Sequence, residues 1–387
     1  MTMLKALDNR EKSLSIKWNR YPKKGIIVLG TADMDFQSPD CIRTALMEKA
    51  ATGSYAYELK PESYYEAIFH WYSNEYQWNI DNNWLTNSPG MWALFHMCIQ
   101  AFTDVGDNIL IHSPHFHPAI TAIKGNNRNV VTQLIDCDGS IPSVDMDKFE
   151  SIIKEQNIKL FFLVNPHNPT GKVFTRDELT KISDVCEKYG VIVVSDEIHG
   201  LITYDQVGFV PYGSINDHAA NHSVTLTSPS KAFNIQGLTY AIGIIPNNYL
   251  GKKLEMVRTW YDFDFATNIF SIAAVEAAYK NGKPWLMELN TYLQGNLDFM
   301  CQFCASNIPD LRVIRPQGGY MAWMDFRGFN ISPQDLQSQI LDKANVGLTW
   351  GDSFGHDGNG YERLNFGCPN STLKKGLNNL AAVFSNR

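Results

Sequence analysis

The chain has no basic excess: 33 lysines and arginines stand against 40 aspartates and glutamates, a formal net charge of −7. A general binder of nucleic acid or of an anionic membrane needs positive charge to neutralise phosphates. Both are excluded as broad functions, although a local basic pocket is not. No uninterrupted apolar run reaches the roughly 20 residues that span a bilayer. The opening MTMLKALDNREKS lacks the apolar core of a secretory signal. Cysteine is sparse: seven residues, an odd number scattered over 387. That predicts reduced thiols in a cytoplasmic protein rather than a disulfide framework. Cys301 and Cys304 form one CxxC, but no second pair completes a zinc site. The surrounding NLDFMCQFCASN reads as a helix carrying two half-buried thiols one turn apart. Internal repeats and low-complexity segments are absent too.

What is present is globular: 44% hydrophobic, 19% charged and 12% aromatic residues, at a length of roughly two to three domains. Residues 1–50 read as an arm that is charged at first, then extended over 26–29, and that supplies part of a small domain. Residues 51–285 alternate helices and strands. The segment 91–103 is apolar on nearly every face, which predicts a buried helix. Short β-branched runs at 108–112, 160–164, 191–195, 223–227 and 241–245 predict strands, and 175–189 opens with a capping box, Thr175 to Glu178. Strands that are apolar throughout and separated by helices imply an α/β fold with a mostly parallel sheet covered by helices on both faces. Residues 286–387 change character and predict a smaller α+β domain: a long helix, strands at 311–315 and 320–326, then a helix and a short terminal strand.

Two motif matches fail on context. Gly351-Asp352-Ser353-Phe354-Gly355 fits a nucleophile elbow, but a glycine-rich turn follows it and no histidine lies beyond His356. Ser228-Pro229-Ser230-Lys231 fits the S-x-x-K of penicillin-recognising enzymes, whose companion motifs are missing. His112, His115 and His117 lack a carboxylate at a useful spacing, and no metal is expected.

Four other segments cohere. Ser88-Pro89-Gly90 precedes the 91–103 helix, so that free N–H groups of the first turn converge as they do on a phosphate. Asn165-Pro166-His167-Asn168-Pro169-Thr170-Gly171 follows the 160–164 strand and places Asn168 as an amide donor. Ser195-Asp196-Glu197-Ile198-His199 ends the next strand with a carboxylate. Thr227-Ser228-Pro229-Ser230-Lys231 ends another with two hydroxyls and a lysine. All lie at strand ends on one sheet edge, where open α/β sheets bind ligands. A phosphate cradle, an amide, a carboxylate and a lysine are the set that pyridoxal phosphate requires. The lysine forms the Schiff base, the acid pairs with the pyridine nitrogen, and the donors hold the phosphate.

These segments resemble the fold-type I, class I/II aminotransferase superfamily. Ile16-Lys17-Trp18, Ala32-Asp33-Met34-Asp35-Phe36, Phe233-Asn234 and Arg363-Leu364-Asn365-Phe366-Gly367-Cys368-Pro369 narrow the similarity to its cystathionine β-lyase branch, over residues 10–383. The resemblance implies a large domain with a seven-stranded sheet, and a homodimer with shared active sites. It implies Lys231 as the covalent and proton-transferring lysine, Asp196 on the pyridine nitrogen, Asn168 on the ring hydroxyl and His199 beside the ring. The phosphate falls to the N–H groups of Gly90 and Met91, the hydroxyls of Ser228 and Ser230, and Tyr57 of the neighbouring subunit. Arg363 takes the substrate carboxylate as a planar fork. The implied activity is β-elimination from cystathionine or another S-substituted cysteine, in methionine and cysteine metabolism. Transamination is the runner-up, and a non-catalytic regulatory role on the same scaffold the third reading. Three departures bear on substrate preference. Phe116 stands where the family usually stacks a tyrosine on the ring, Gly318-Gly319-Tyr320 where Gly-Thr-Tyr is common, and Tyr55-Ala56-Tyr57 where Phe-Gly-Tyr is common. Residues 232–241 lack the phosphate-binding arginine of many aminotransferases, which fits the lyase branch.

Overall fold

The computed structural model describes residues 3–7, 10–21, 23–139, 141–263 and 267–385. The arm contributes β1 (Ile27–Val28), which pairs in parallel with Val346–Gly347 near the other end of the chain. Seven strands then build the main sheet: β2 (Leu85–Ser88), β3 (Asn108–Ser113), β4 (Asn129–Leu134), β5 (Ile158–Val164), β6 (Ile192–Asp196), β7 (Ser223–Thr227) and β8 (Ala241–Ile244). Their order is β2-β8-β7-β6-β5-β3-β4. Every neighbouring pair is parallel except those of β8, which runs antiparallel to β7 and β2.

Apolar character on both faces follows from where the side chains go. Successive residues of a strand point to opposite faces. Leu160, Phe162 and Val164 therefore join one buried cluster, with Leu94, Phe95 and Ile99 of the helix Met91–Phe102. Phe161 and Leu163 join the opposite cluster, with Leu179, Ile182 and Cys186 of the helix Arg176–Tyr189. Phe95 stacks on Phe162 with centroids 3.8 Å apart. The expected capping box is formed: Thr175 Oγ1 accepts from the Glu178 N–H, and Glu178 accepts from the Thr175 N–H.

The second sheet has the order Thr349–Trp350, Tyr361–Asn365, Met321–Asp325, Arg312–Ile314, all antiparallel. The helix Lys283–Asn307 leads into it, and Cys301 and Cys304 lie half-buried and buried on that helix, unbridged. One expectation is overturned. The chain closes with a helix, Asn370–Phe384, rather than a strand. Leu373, Leu377, Leu380 and Phe384 recur at helical spacing and are all buried. The short strand, Tyr361–Asn365, comes before it. Gly351–Phe354 is a 3₁₀ turn in which Ser353 Oγ donates to the Trp350 carbonyl, not a nucleophile elbow.

The arm is tied down by charge. Lys17 is fully buried; its Nζ lies 2.9 Å from Asp35 Oδ2 and donates to the Asp33 carbonyl at 3.3 Å. Trp18 Nε1 donates to Asp35 Oδ1, and Arg10 reaches Asp33 and Asp35 at 3.1 and 3.3 Å. Removing one partner of a buried pair strands the other. Lys17→Met should therefore lower stability by about 3 kcal/mol, the low end of the usual range because Arg10 and Trp18 still hold Asp35. Urea unfolding should show a lower midpoint at unchanged slope. A midpoint equal to that of the unmodified protein would show that the arm is not held by this pair.

Candidate active site

The parallel strands β5, β6 and β7 end at one edge, and the chain leaving each of them lines a single cavity. Its volume is about 110 Å³, and its walls include Ala32, Met91, Trp92, His115, Phe116, Asn168, Asp196, His199, Lys231 and Arg363. The structure thus brings together seven of the residues marked in the sequence.

Gly90 starts the cradle. Its φ of +106° belongs to glycine, and a Cβ built there would point into open space. The helix Met91–Phe102 begins at the next residue, so its first-turn N–H groups have no partner within the helix. Ser228 and Ser230 are buried at the end of β7, with Ser228 Oγ accepting from the Ser230 N–H at 3.2 Å. After β5, Gly171 closes the proline-rich turn with φ +71°. A Cβ there would meet Pro316 at 2.2 Å, so only glycine lets residues 316–318 pack on it. Its carbonyl accepts from the Gln317 and Gly318 N–H groups.

Three charged groups share this small volume. Lys231 donates from Nζ to the Ala32 carbonyl at 2.9 Å. Burial, and then the charge of Arg363, bring its ammonium down to about 8. Asp196 accepts from the Ile198 N–H at 3.1 Å, and burial pushes its carboxyl up to about 6. Neighbouring Glu197 is pushed further, to about 8, by burial; it accepts from Ser195 Oγ and the Tyr212 N–H. Burial thus works against a second anion beside Asp196. Arg363 is 2% exposed, and among the described residues it has no carboxylate partner. Nη1 donates to Asn168 Oδ1 at 2.9 Å, and Nη2 reaches the Gly30 carbonyl and Thr349 Oγ1 at 3.3 Å. Its Nε is buried without a hydrogen bond. The guanidinium lies 5.6 Å from the Phe116 ring centre and 5.0 Å from that of Phe354. Burial lowers it to about 10.

These donors fit pyridoxal phosphate together with an amino acid. An unpaired buried carboxylate suits a pyridinium nitrogen, a depressed lysine suits an aldehyde, and the glycine cradle with two hydroxyls suits a phosphate. Arg363, with neutral partners only and its Nε unbonded, suits a carboxylate. Asn168 Oδ1 is committed to Arg363, so any bond it makes to a ligand is donated by its amide nitrogen. His199 is buried and held near 3 by burial and the Lys231 charge, hence neutral; its ring packs edge-on to Tyr320 at 5.8 Å. Tyr57, by contrast, is 79% exposed and is not among the cavity's lining residues. His112 and His115 are buried, whereas His117 sits on an exposed helix turn beside Thr121.

Two cavity residues were not foreseen as such. Ala32, noted only within the motif of residues 32–36, acts through its backbone carbonyl, which also accepts from Tyr320 Oη at 3.0 Å. Trp92 follows Met91 in a helix whose apolar residues all read as core. Its ring centre lies 6.1 Å from that of Phe116.

The aminotransferase class I and II family model matches residues 24–380. Cystathionine β-lyase PatB of Bacillus subtilis (strain 168) is 33% identical over 386 residues, covering 98% of this chain and 99% of that protein. Protein MalY of Escherichia coli (strain K12) is 33% identical over 360 residues, 93% and 92% of the two chains. Among solved structures, cystalysin from Treponema denticola, which contains pyridoxal 5'-phosphate, superposes with a TM-score of 0.91 at 27% identity, over 96% of each chain.

The raised carboxyl of Asp196 has a testable sign. Between about pH 4 and 6 the folded, cofactor-free protein binds more protons there than the unfolded chain, so this group makes stability fall as pH rises through that window. Above it, the buried carboxylate costs about 2–3 kcal/mol. Asp196→Asn should therefore stabilise the cofactor-free protein at pH 8, and the gain should shrink toward pH 4. A gain of equal size at both pH values would contradict this origin.

Proposed function

The chain belongs to the aminotransferase class I and II family, and on that premise we propose that it is a pyridoxal-phosphate-dependent carbon–sulfur β-lyase. Its substrates are L-cystathionine or other S-substituted L-cysteines, and its products a thiol, pyruvate and ammonia. The observation that carries the reading is the trio of Lys231, Asp196 and Arg363, half-buried, buried and buried, lining one cavity without an ion pair among them. A binding protein without chemistry has no use for a lysine brought down to about 8 in such a cavity.

When bound, pyridoxal phosphate supplies an aldehyde for the substrate's amino group and an electron-withdrawing ring that makes the Cα proton acidic. The chain's own residues do the rest. Arg363 takes the α-carboxylate in its fork, and the Phe116 and Phe354 faces keep water from the guanidinium. Lys231, close to half neutral near pH 8, takes the Cα proton. Asp196, ionised above about 6, keeps a proton on the ring nitrogen. Gly90, Met91, Ser228 and Ser230 hold the phosphate, Asn168 the ring oxygen, and His199 and Phe116 flank the ring. With a thiol on Cβ, departure of the thiolate completes the elimination.

We assign Tyr57 to the phosphate of a neighbouring subunit, so that the working unit is a homodimer with shared sites. The assignment is supported by the exposed Tyr55, Tyr57 and Leu59, at 63%, 79% and 94%, on a segment that does not line its own cavity. A reducing, cytoplasmic setting is supported by seven unbridged cysteines, five of them buried. Among the described residues no helix is long and apolar enough to cross a membrane.

The decisive assay gives the enzyme L-cystathionine and no keto acid, and measures pyruvate. Pyruvate should form, and should be lost in Lys231→Ala. Amino transfer only after a keto acid is added would identify an aminotransferase instead. Borohydride should fix the cofactor to Lys231, and a label on Lys172 would refute that role.

Shared sites have their own test. Arg363→Ala should cut kcat/KM while leaving the cofactor bound. Tyr57→Phe should weaken cofactor retention about tenfold, the loss of one bond to a charged phosphate. Mixed and exchanged, the two variants should recover activity, because one site of each heterodimer then carries neither lesion. Confirmed exchange with no recovery would place Tyr57 in its own subunit's site or in none.

A further inference from the structure

Ala32 lines the cavity, and the backbone of its segment, residues 31–36, is gripped by asparagines that follow Lys231 and Arg363 in the chain. Asn365 Nδ2 donates to the carbonyls of Thr31 and Asp33 at 2.5 and 2.7 Å. Asn234 Nδ2 donates to those of Met34 and Phe36 at 2.9 and 2.8 Å, and Asn234 Oδ1 accepts from the Met34 N–H at 3.0 Å. The Ala32 carbonyl between these clamps cannot swing to a new donor. It has two strong ones: Lys231 Nζ at 2.9 Å and Tyr320 Oη at 3.0 Å, with Gln236 Nε2 more distant at 3.4 Å.

We infer that Tyr320 is a positioning residue for Lys231: its hydroxyl keeps the Ala32 carbonyl hydrogen-bonded when the lysine nitrogen leaves that carbonyl for the cofactor. The inference rests on the reading that this cavity holds pyridoxal phosphate. Joining the Lys231 amine to an aldehyde forms a carbon–nitrogen double bond. The two hydrogens of the neutral amine leave with the aldehyde oxygen as water, so the donor to Ala32 is lost. The carbonyl then keeps Tyr320 Oη at 3.0 Å and the longer Gln236 Nε2 contact at 3.4 Å. Without Tyr320 it would keep only the long Gln236 contact in the covalent state, but the 2.9 Å lysine bond as well in the free-lysine state. That would pull the equilibrium away from the covalent bond. Tyr320 is fully buried, packs edge-on to His199, and has its own backbone carbonyl fixed by the Phe366 N–H at 3.0 Å, so its hydroxyl stays in place through both states.

The test compares two cofactor forms on protein stripped of cofactor. Pyridoxal phosphate bonds to Lys231; pyridoxamine phosphate has the same ring and phosphate and forms no such bond. In Tyr320→Phe, the Kd for pyridoxal phosphate should rise about tenfold, the effect of one acceptor left with only a long contact. The Kd for pyridoxamine phosphate should stay within about twofold, which also certifies that the variant is folded. A merely structural role would weaken both forms together, and that result, or no change in either, overturns the inference. If the unmodified protein binds neither form, the cofactor reading itself falls, and the inference with it.

Discussion

Holding a lysine, an aspartate and an arginine around one small cavity, near one another yet unpaired, is the constraint on which the rest of this molecule depends. Each charge resists burial, and the shifts of Lys231 to about 8, Asp196 to about 6 and Arg363 to about 10 record that resistance. Collapse onto each other would relieve the strain and end the chemistry. It is prevented by fixed backbone: β6 presents Asp196, the turn after β7 presents Lys231, and a strand of the second sheet presents Arg363. The large apolar clusters on both faces of the main sheet supply the rigidity that holds these three origins apart.

Neutral partners complete that arrangement. Arg363 is met by an amide oxygen, a carbonyl and a hydroxyl, which orient it without cancelling its charge. Lys231 is met by a carbonyl. Glu197, the one acid beside Asp196 in sequence, is pushed up to about 8 by burial. The same logic is inverted in the arm, where Lys17, Asp33 and Asp35 pair directly because their task is attachment.

Much of this was legible from residues alone, and the exceptions share a cause. Strands β5 to β8 announced themselves as short β-branched and apolar runs because nearly every residue in them is buried. Strands β2 and β4 did not: Leu-Thr-Asn-Ser and Asn-Val-Val-Thr-Gln-Leu are edge strands, half in solvent, and read as mixed sequence. The closing helix was not foreseen, a short terminal strand being expected instead, because its five buried residues are spread over fifteen, amid lysines and asparagines. In the site, Lys231, Asp196, Asn168 and Arg363 stand at strand ends, where chemistry is expected. Ala32 contributes only a carbonyl, which every residue type possesses, and Trp92 is masked by the apolar helix that carries it. Tyr320 was noticed as part of a departure from Gly-Thr-Tyr, but its hydroxyl's partner is 288 residues away, a distance no local pattern spans.

Ala32 lines the cavity, Gly30 accepts from the fork of Arg363, and β1 pairs with residues 346 and 347. Residues some three hundred positions apart must therefore meet before the pocket closes. On a ribosome the main sheet, residues 85–244, and Lys231 are synthesised more than a hundred residues before Arg363. A nascent chain that already carries its central strands therefore cannot enclose an amino acid until residue 363 has emerged too. A product truncated before that residue keeps the lysine and the phosphate cradle without the grip on a carboxylate.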